Sequence, residues 1–161
     1  MSCFNNYRNC ITFGQFLDGM IFSKSCEYAL RAVLFIYMKS DADTRLAVKD
    51  ISGEIGSPVP FTAKILQQLA RKKIISSVKG PNGGFYIDQA SKPITIFQIV
   101  EAIDGTEFFE RCIIGLKKCS EKNPCPMHKH FINHRNEIKD LFMKKTIQDL
   151  IFQQDGKINL K

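Results

Sequence analysis

Apolar residues recur at three- and four-residue spacing over four segments of the chain, a period that predicts amphipathic helices. The segments cover residues 23–40, 47–54, 60–73 and 94–104. Ser23 or Ser25 is suited to cap the first helix, and Gly105 to end the fourth. A further apolar stripe over residues 126–153 predicts one long helix.

The interval between the third and fourth helices has the pattern of a β-hairpin. Two β-rich runs, at 74–79 and 85–87, flank the turn residues 80–84, which read Gly-Pro-Asn-Gly-Gly. A Gly-Ser-Pro-Val-Pro sequence at 56–60 separates the second helix from the third, because proline cannot continue a helix but suits the first turn of the next. The order predicts a mainly α fold with a small β-hairpin wing, that is, a winged helix-turn-helix followed by a long C-terminal dimerisation helix.

These patterns divide the chain into five parts. Residues 1–19 show no clear period and are expected to form a disordered leader, and 20–104 form the winged helix-turn-helix. A cysteine-rich loop at 105–125 leads to the dimerisation helix at 126–153, and 154–161 form a tail. A helix this long at the end of a small domain needs a partner surface, and a second copy of the chain is the simplest one.

The third helix and the wing carry side chains suited to double-stranded DNA. A helix that enters the major groove needs a polar, donor-rich face, in which glutamine reads adenine and lysine contacts guanine or phosphate. Glycines let the wing approach the phosphodiester backbone. Each cation taken alone is also typical of an ordinary solvated face, so it is the order of helix, turn and wing that favours DNA binding. The predicted contact residues are Ser57, Thr62, Lys64, Gln67, Gln68, Arg71, Lys79, Gly80 and Asn82.

Composition narrows the function classes. Lys and Arg number 23 against 16 Asp and Glu, and the net charge of +7 suits a polyanionic partner but is not specific for one. No apolar run approaches the roughly 20 residues needed to span a bilayer. Residues 1–19 also lack the apolar stretch of a signal peptide. We therefore expect a cytosolic protein without a membrane partner, in which the cysteines are thiols or metal ligands. No Ser/His/Asp set, phosphate loop or catalytic carboxylate pair is present, so an enzyme is not expected.

Three cysteines are concentrated in the predicted loop. Cys112, Cys119 and Cys125 have the spacing C-x6-C-x5-C, among arginine and lysine residues that favour thiolates. Such a loop can hold an iron–sulfur cluster, act as metal-free redox thiols, or bind zinc with a histidine. The spacings are longer than those of a usual zinc knuckle, which favours the cluster over zinc. Cys26, in contrast, lies on the apolar side of the first helix and is expected to be core.

Several segments resemble the Rrf-type regulators, the family of the IscR and NsrR proteins. They are the opening at 20–32, Val48-Lys-Asp-Ile51, Lys64-Ile-Leu-Gln-Gln-Leu69 and, most specifically, the wing Ser77-Val-Lys-Gly-Pro-Asn-Gly-Gly84. The resemblance runs from residue 20 to about 150. It implies a homodimer that binds a palindromic operator. The family usually has arginine at the position of Lys79, so this chain keeps the charge but loses the planar fork.

The same resemblance implies an iron–sulfur cluster, [2Fe–2S] or [4Fe–4S], on the three-cysteine loop. The first spacing is commonly one residue shorter in the family. A fourth ligand is then needed. His128 matches a histidine ligand of IscR-like members, and Glu27 matches an acidic ligand that NsrR-like members donate from the other subunit. A surface role for either side chain is the alternative.

Overall fold

The first helix, α1 (Lys24–Lys39), is the element around which the others pack. Ser23 caps it, because its hydroxyl accepts a hydrogen bond from the backbone N–H of Cys26. The computed structural model describes residues 22–41, 43–88, 90, 92–116, 120–153 and 158–160. The predicted leader at 1–19, with Cys3 and Cys10, lies outside these residues, as does Cys119. No helix in the described part of the chain is long and apolar enough to cross a membrane.

The helix-turn-helix consists of α2 (Val48–Ile55) and α3 (Val59–Arg71). Gly56 ends α2 in the left-handed conformation, with φ of 64°, where an L side chain would be strained. Pro60 lies in the first turn of α3, as predicted. Ile51 and Ile55 of α2 are buried against the core, so this part of the sequence prediction is confirmed.

The buried stripe of α3 begins at Thr62. Thr62, predicted to contact DNA, is fully buried, whereas its neighbour Phe61 is 36% exposed. Thr62 falls in line with Ile65, Leu66 and Leu69, at the helical spacing of three, four and seven residues. Phe61 instead lies beside Tyr28 of α1, with ring centroids 5.8 Å apart in an edge-to-face arrangement.

The wing is a two-stranded antiparallel hairpin formed by β1 (Ser76–Val78) and β2 (Gly84–Tyr86). Val78 pairs with Gly84 and Ser76 with Tyr86. Leu46, in the connection between α1 and α2, adds a bridge to Phe85 through two backbone hydrogen bonds of 2.9 Å. The wing is therefore attached to the helical part of the fold along one edge.

After the wing, α4 (Ile96–Ile103) begins in a reciprocal capping box between Thr95 and Gln98. The chain then forms a short 3-10 helix (Glu107–Phe109), whose last residue is buried. The predicted loop at 105–124 thus contains one ordered turn, fixed by Phe109 packing against Phe97 and Phe142.

The prediction of one continuous helix over 126–153 is wrong. The segment consists of α5 (His128–Lys144) and α6 (Ile147–Gln153). Lys145 and Thr146 are extended between them, and two backbone hydrogen bonds of 2.8 and 3.0 Å join this break to the segment that precedes α4. Thr146 and Asp149 then cap α6 reciprocally, with bonds of 2.9 and 3.1 Å.

The main core lies between α1, α2, α3, α4 and α6. Ile36, Ile51, Leu66, Ile99 and Ile147 are all fully buried there. The segment expected to be a tail contributes to this core, because Leu160 is 3% exposed. Its carbonyl also accepts a hydrogen bond of 3.4 Å from Arg31 of α1. The end of the described chain is therefore part of the folded domain.

Candidate DNA-binding surface and cysteine site

A groove of about 860 Å³ lies between α3 and the wing. Gln67 and Arg71 line it on the α3 side, and Lys79 and Gly80 on the wing side. All four residues are exposed, as are Lys64 and Asn82. Four of the predicted contact residues thus line one accessible groove, to which Arg71 and Lys79 give a positive charge.

The other three predicted contact residues do not belong to this surface. Thr62 is fully buried and Ser57 is 8% exposed. Their hydroxyl oxygens are buried and have no hydrogen-bond partner among the described residues. Gln68 is half-buried, and its amide donates a hydrogen bond of 2.8 Å to the carbonyl of Ala102. The reading face of α3 is narrower than the sequence indicated, because these polar side chains face the domain.

Arg45 is a cation beside the wing that the sequence analysis did not single out. Its guanidinium donates a hydrogen bond of 3.4 Å to the carbonyl of Asn82, at the tip of the wing. It is exposed, so its charge adds to that of the groove. Arg45 belongs to no periodic pattern in the sequence. The bridge between its neighbour Leu46 and Phe85 holds it beside the wing.

Cys112 is the best-defined residue of the cysteine site. It lies three residues after the end of the 3-10 helix and is 3% exposed. The backbone of Ile114 and Leu116 and the side chain of Cys125 lie beside its sulfur. The fold therefore brings two of the three predicted cysteine ligands together.

The environment of Cys112 favours its thiolate. Burial acts to raise the pKa of Cys112, but hydrogen bonds from Ile114, Cys125 and Leu116 and the positive charge of Arg135 act in the opposite direction. The net result is a pKa below the ordinary thiol value. Cys26 shows the contrast, because burial raises its pKa to about 12, with further contributions from the charges of Asp104 and Glu27. Cys26 is fully buried in the apolar core, as predicted.

His128 lies close to Cys125 at the start of α5. Its backbone N–H donates a hydrogen bond of 2.9 Å to the carbonyl of Cys125, and the residue is 8% exposed. Within the described residues, no three His, Cys, Asp or Glu side chains are grouped as a metal site. The third predicted ligand, Cys119, is outside those residues.

Glu27, the alternative fourth ligand, is engaged on α1 of its own chain. Its carboxylate lies 3.1 Å from Lys24 and 3.9 Å from Arg31. Arg31 also donates to the carbonyl of Ile55, at the end of α2, over 3.3 Å. Glu27 is therefore held in an ion-pair network at the edge of the helix-turn-helix.

The donor set around Cys112 fits an iron–sulfur cluster. Thiolates are the usual ligands of such clusters, and hydrogen bonds to their sulfurs are a main determinant of the reduction potential. The backbone of Ile114 and Leu116 lies beside the Cys112 sulfur and can supply such bonds. Arg135 in addition keeps a buried Nε donor that has no hydrogen-bond partner among the described residues.

The sequence matches the model of the Rrf2 family, described as iron-dependent transcriptional regulator, over residues 22–153. The chain belongs to the Rrf2 family. A protein of Aquifex aeolicus (strain VF5) that is assigned as an HTH-type transcriptional regulator is 37% identical to it over 134 residues, covering 82% of this chain and 92% of that protein. The transcriptional regulator IscR of Yersinia pestis is 25% identical over 128 residues, covering 80% and 77%.

Solved structures show the same fold as this Rrf2 protein. IscR of T. potens superposes with a TM-score of 0.62 at 18% identity, covering 86% of this chain and 90% of that one. CymR, described as the global cysteine regulator of B. subtilis, superposes with a TM-score of 0.62 at 19% identity, covering 80% and 94%. These structures confirm the predicted winged-helix fold. The family confirms the prediction of a DNA-binding transcription regulator rather than an enzyme.

Proposed function

We propose that this Rrf2 protein is a homodimeric, sequence-specific transcription regulator of the cytoplasm whose operator binding is controlled by an iron–sulfur cluster. Cys112, Cys119 and Cys125 would hold the cluster, with His128 or Glu27 as the fourth ligand. The observation that carries the proposal is the buried Cys112 thiol beside Cys125, in a chain that belongs to the Rrf2 family. When bound, the cluster would supply a centre that reacts with oxidants or nitric oxide and whose occupancy depends on the availability of iron.

DNA binding is assigned to the groove between α3 and the wing. Gln67 and Lys64 are the exposed side chains of α3 suited to base edges, whereas Arg71, Lys79 and Arg45 are suited to phosphates. Gly80, with φ of 115°, leaves the wing tip without a side chain where the backbone approaches DNA. A palindromic operator follows if two copies present this surface.

The dimer is supported by apolar side chains left on the surface of α5 and α6. Leu141 and Met143 are 49% and 51% exposed, and Phe152 is 87% exposed. Large apolar groups this open on the two C-terminal helices are typical of an interface. A second copy of the chain covers them in the proposed assembly.

The DNA surface is tested with Lys79→Ala and Gln67→Ala, measured by fluorescence anisotropy on a duplex that the protein selects from a random library. Lys79→Ala should weaken binding to all duplexes and reduce the slope of affinity against salt by about 1. Gln67→Ala should weaken binding to the selected site more than to unrelated DNA. Lys129→Ala, which removes the same charge from an exposed position of α5, serves as the control. Unchanged affinity and salt slope in both test variants would mean that the surface is wrong.

The cluster is tested by anaerobic purification with iron and sulfide counting. We expect iron and sulfide in the wild type and their loss in Cys112→Ala, Cys119→Ala and Cys125→Ala. Cys26→Ala is the matched control, because Cys26 is buried in the core and should not affect uptake. A wild type that holds neither element after reconstitution would refute the cluster.

A second candidate function is a metal-free thiol switch, which the contact between Cys112 and Cys125 favours. Two adjacent thiols are oxidised by a peroxide to a disulfide, with the peroxide reduced to water. This mechanism predicts that peroxide changes DNA affinity in protein that contains no iron. The triple cysteine-to-alanine variant would then keep one fixed affinity.

A further inference from the structure

Arg135 of α5 reaches across to the segment that leads into Cys112. Its Nη1 donates hydrogen bonds to the backbone carbonyls of Glu110 and Arg111, both at 3.2 Å. These two residues end the 3-10 turn and immediately precede Cys112. Arg135 thus joins α5 by hydrogen bonds to the backbone that positions the first cysteine.

One donor of Arg135, its Nε–H, is not used within the described residues. The Nε atom is buried and has no partner among the described residues. Among the residues that the structure describes, no ion pair joins Arg135 to a carboxylate. A half-buried guanidinium without an anionic partner is costly, so its charge and its spare N–H call for an acceptor.

The negative group that the site can offer is the thiolate set itself. The two hydrogen bonds of Nη1 hold the positive charge of Arg135 beside the backbone that directly precedes Cys112. Arginine suits this position better than lysine, because Nη1 can donate to both carbonyls while Nε stays available. Positive charge beside a cluster stabilises the reduced state, which is the more negative one.

We propose that Arg135 is a positioning residue of the cysteine site, which fixes the backbone before Cys112 and supplies the positive charge that raises the reduction potential there. The first half of this inference, that Arg135 fixes the backbone before Cys112, is the loop half and holds in protein without any cluster. The second half, that its charge raises the reduction potential, is the charge half, and only this half rests on the proposed function. The two halves therefore have separate measurements.

The loop half is tested by amide hydrogen exchange of residues 110–116 in cluster-free protein. Arg135→Gln should raise the exchange rates by about tenfold or more, as expected when hydrogen bonds to a charged donor are lost. Lys144→Gln removes the same charge from an exposed position near the end of α5 and should leave these rates unchanged. Equal protection in Arg135→Gln and the wild type would overturn this half.

The charge half is tested by redox titration of the reconstituted protein. Arg135→Gln should shift the midpoint potential to more negative values, lowering the ratio of reduced to oxidised protein at a fixed potential by about tenfold, or 59 mV for one electron. Arg135→Lys should keep most of the wild-type potential while its loop exchanges faster, a combination that a merely structural role would not give. It also replaces Arg135→Gln if that variant fails to fold.

The outcomes distinguish the two claims. A wild type that takes up no iron refutes the proposed cluster and the charge half with it, while amide exchange still decides the loop half. A loaded wild type with equal potentials in all three proteins overturns the charge half alone.

Discussion

The side-chain amide of Gln68 donates a 2.8 Å hydrogen bond to the backbone carbonyl of Ala102, and so joins α3 to α4. Its neighbour Gln67 is exposed in the groove beside the wing. Two adjacent glutamines on one helix therefore have different roles. Gln68 supports the position of α3, and Gln67 is available to DNA.

This difference gives a paired prediction. Gln68→Ala should lower the free energy of unfolding by about 1–2 kcal/mol, because a half-buried hydrogen bond is lost and the Ala102 carbonyl keeps no partner from α3. Gln67→Ala should change stability by less than about 0.5 kcal/mol. Urea titration of both variants measures this. Equal stabilities would contradict the separation of roles.

Gly83→Ala should weaken DNA binding through the wing. A β-carbon at Gly83 would clash with the backbone carbonyl oxygen of Val78, so the turn between β1 and β2 must shift. Affinity for the selected duplex should fall, with little loss of helix content by circular dichroism. Gly53→Ala is the control, because a methyl group there meets nothing within 4 Å. As Gly53 lies in a helix, its replacement should stabilise the fold by up to about 1 kcal/mol and leave affinity unchanged.

Cys26 should make the fold sensitive to alkaline pH. Below pH 9.0, its ordinary value, the thiol is neutral in both the folded and the unfolded chain. Between pH 9.0 and about 12 only the unfolded chain loses this proton, so stability falls as pH rises. The expected slope from this group is about 1.4 kcal/mol per pH unit.

The check is the free energy of unfolding at pH 8.5 and 10.5 in the wild type and in Cys26→Ala. The wild type should lose more stability over this interval than the variant, since other groups titrate equally in both. Parallel losses in the two proteins would show that Cys26 ionises normally in the fold.

Thr146→Ala should destabilise the protein through α6. The Thr146 hydroxyl accepts a 3.1 Å hydrogen bond from the Asp149 backbone N–H, as an N-terminal cap. Its removal should cost about 1 kcal/mol, the usual value for such a cap. Thr106→Ala is a suitable control, because Thr106 precedes the 3-10 helix without a side-chain cap. Thermal unfolding that is the same for both variants would speak against the cap.

The sequence predicted the fold where periodicity and turn chemistry agree. The first four helices and the wing are confirmed, because their apolar spacing and the Gly-Pro-Asn-Gly-Gly turn are local signals. The break between α5 and α6 was missed, although Thr146 and Asp149 have the spacing of a capping box. The apolar stripe continues across the break, so its periodicity predicted a single helix. Thr62 was misplaced because its methyl group packs as a core side chain while its hydroxyl suggests a surface.

The sequence predicted which cysteines belong to the candidate site, but not which other side chains contact their loop. The spacing of the cysteines identified Cys112 and Cys125, and the structure places them together. Arg135 lies ten residues beyond Cys125 on another element, so no sequence pattern connects its side chain to the carbonyls of Glu110 and Arg111. The same holds for Arg45 and the wing tip.

If the state of the cysteine site controls DNA binding, protein with and without its cluster must differ in affinity for DNA. A single anaerobic preparation, with iron and sulfide counted, is divided, and half of it is freed of its cluster by a chelator. Both halves are titrated onto duplexes selected from a random library by each form. We expect the affinities to differ by about tenfold or more, a coupling of about 1.4 kcal/mol, and the Cys112→Ala, Cys119→Ala, Cys125→Ala variant to match the cluster-free half. Equal affinities of the two halves for every selected duplex would contradict the account.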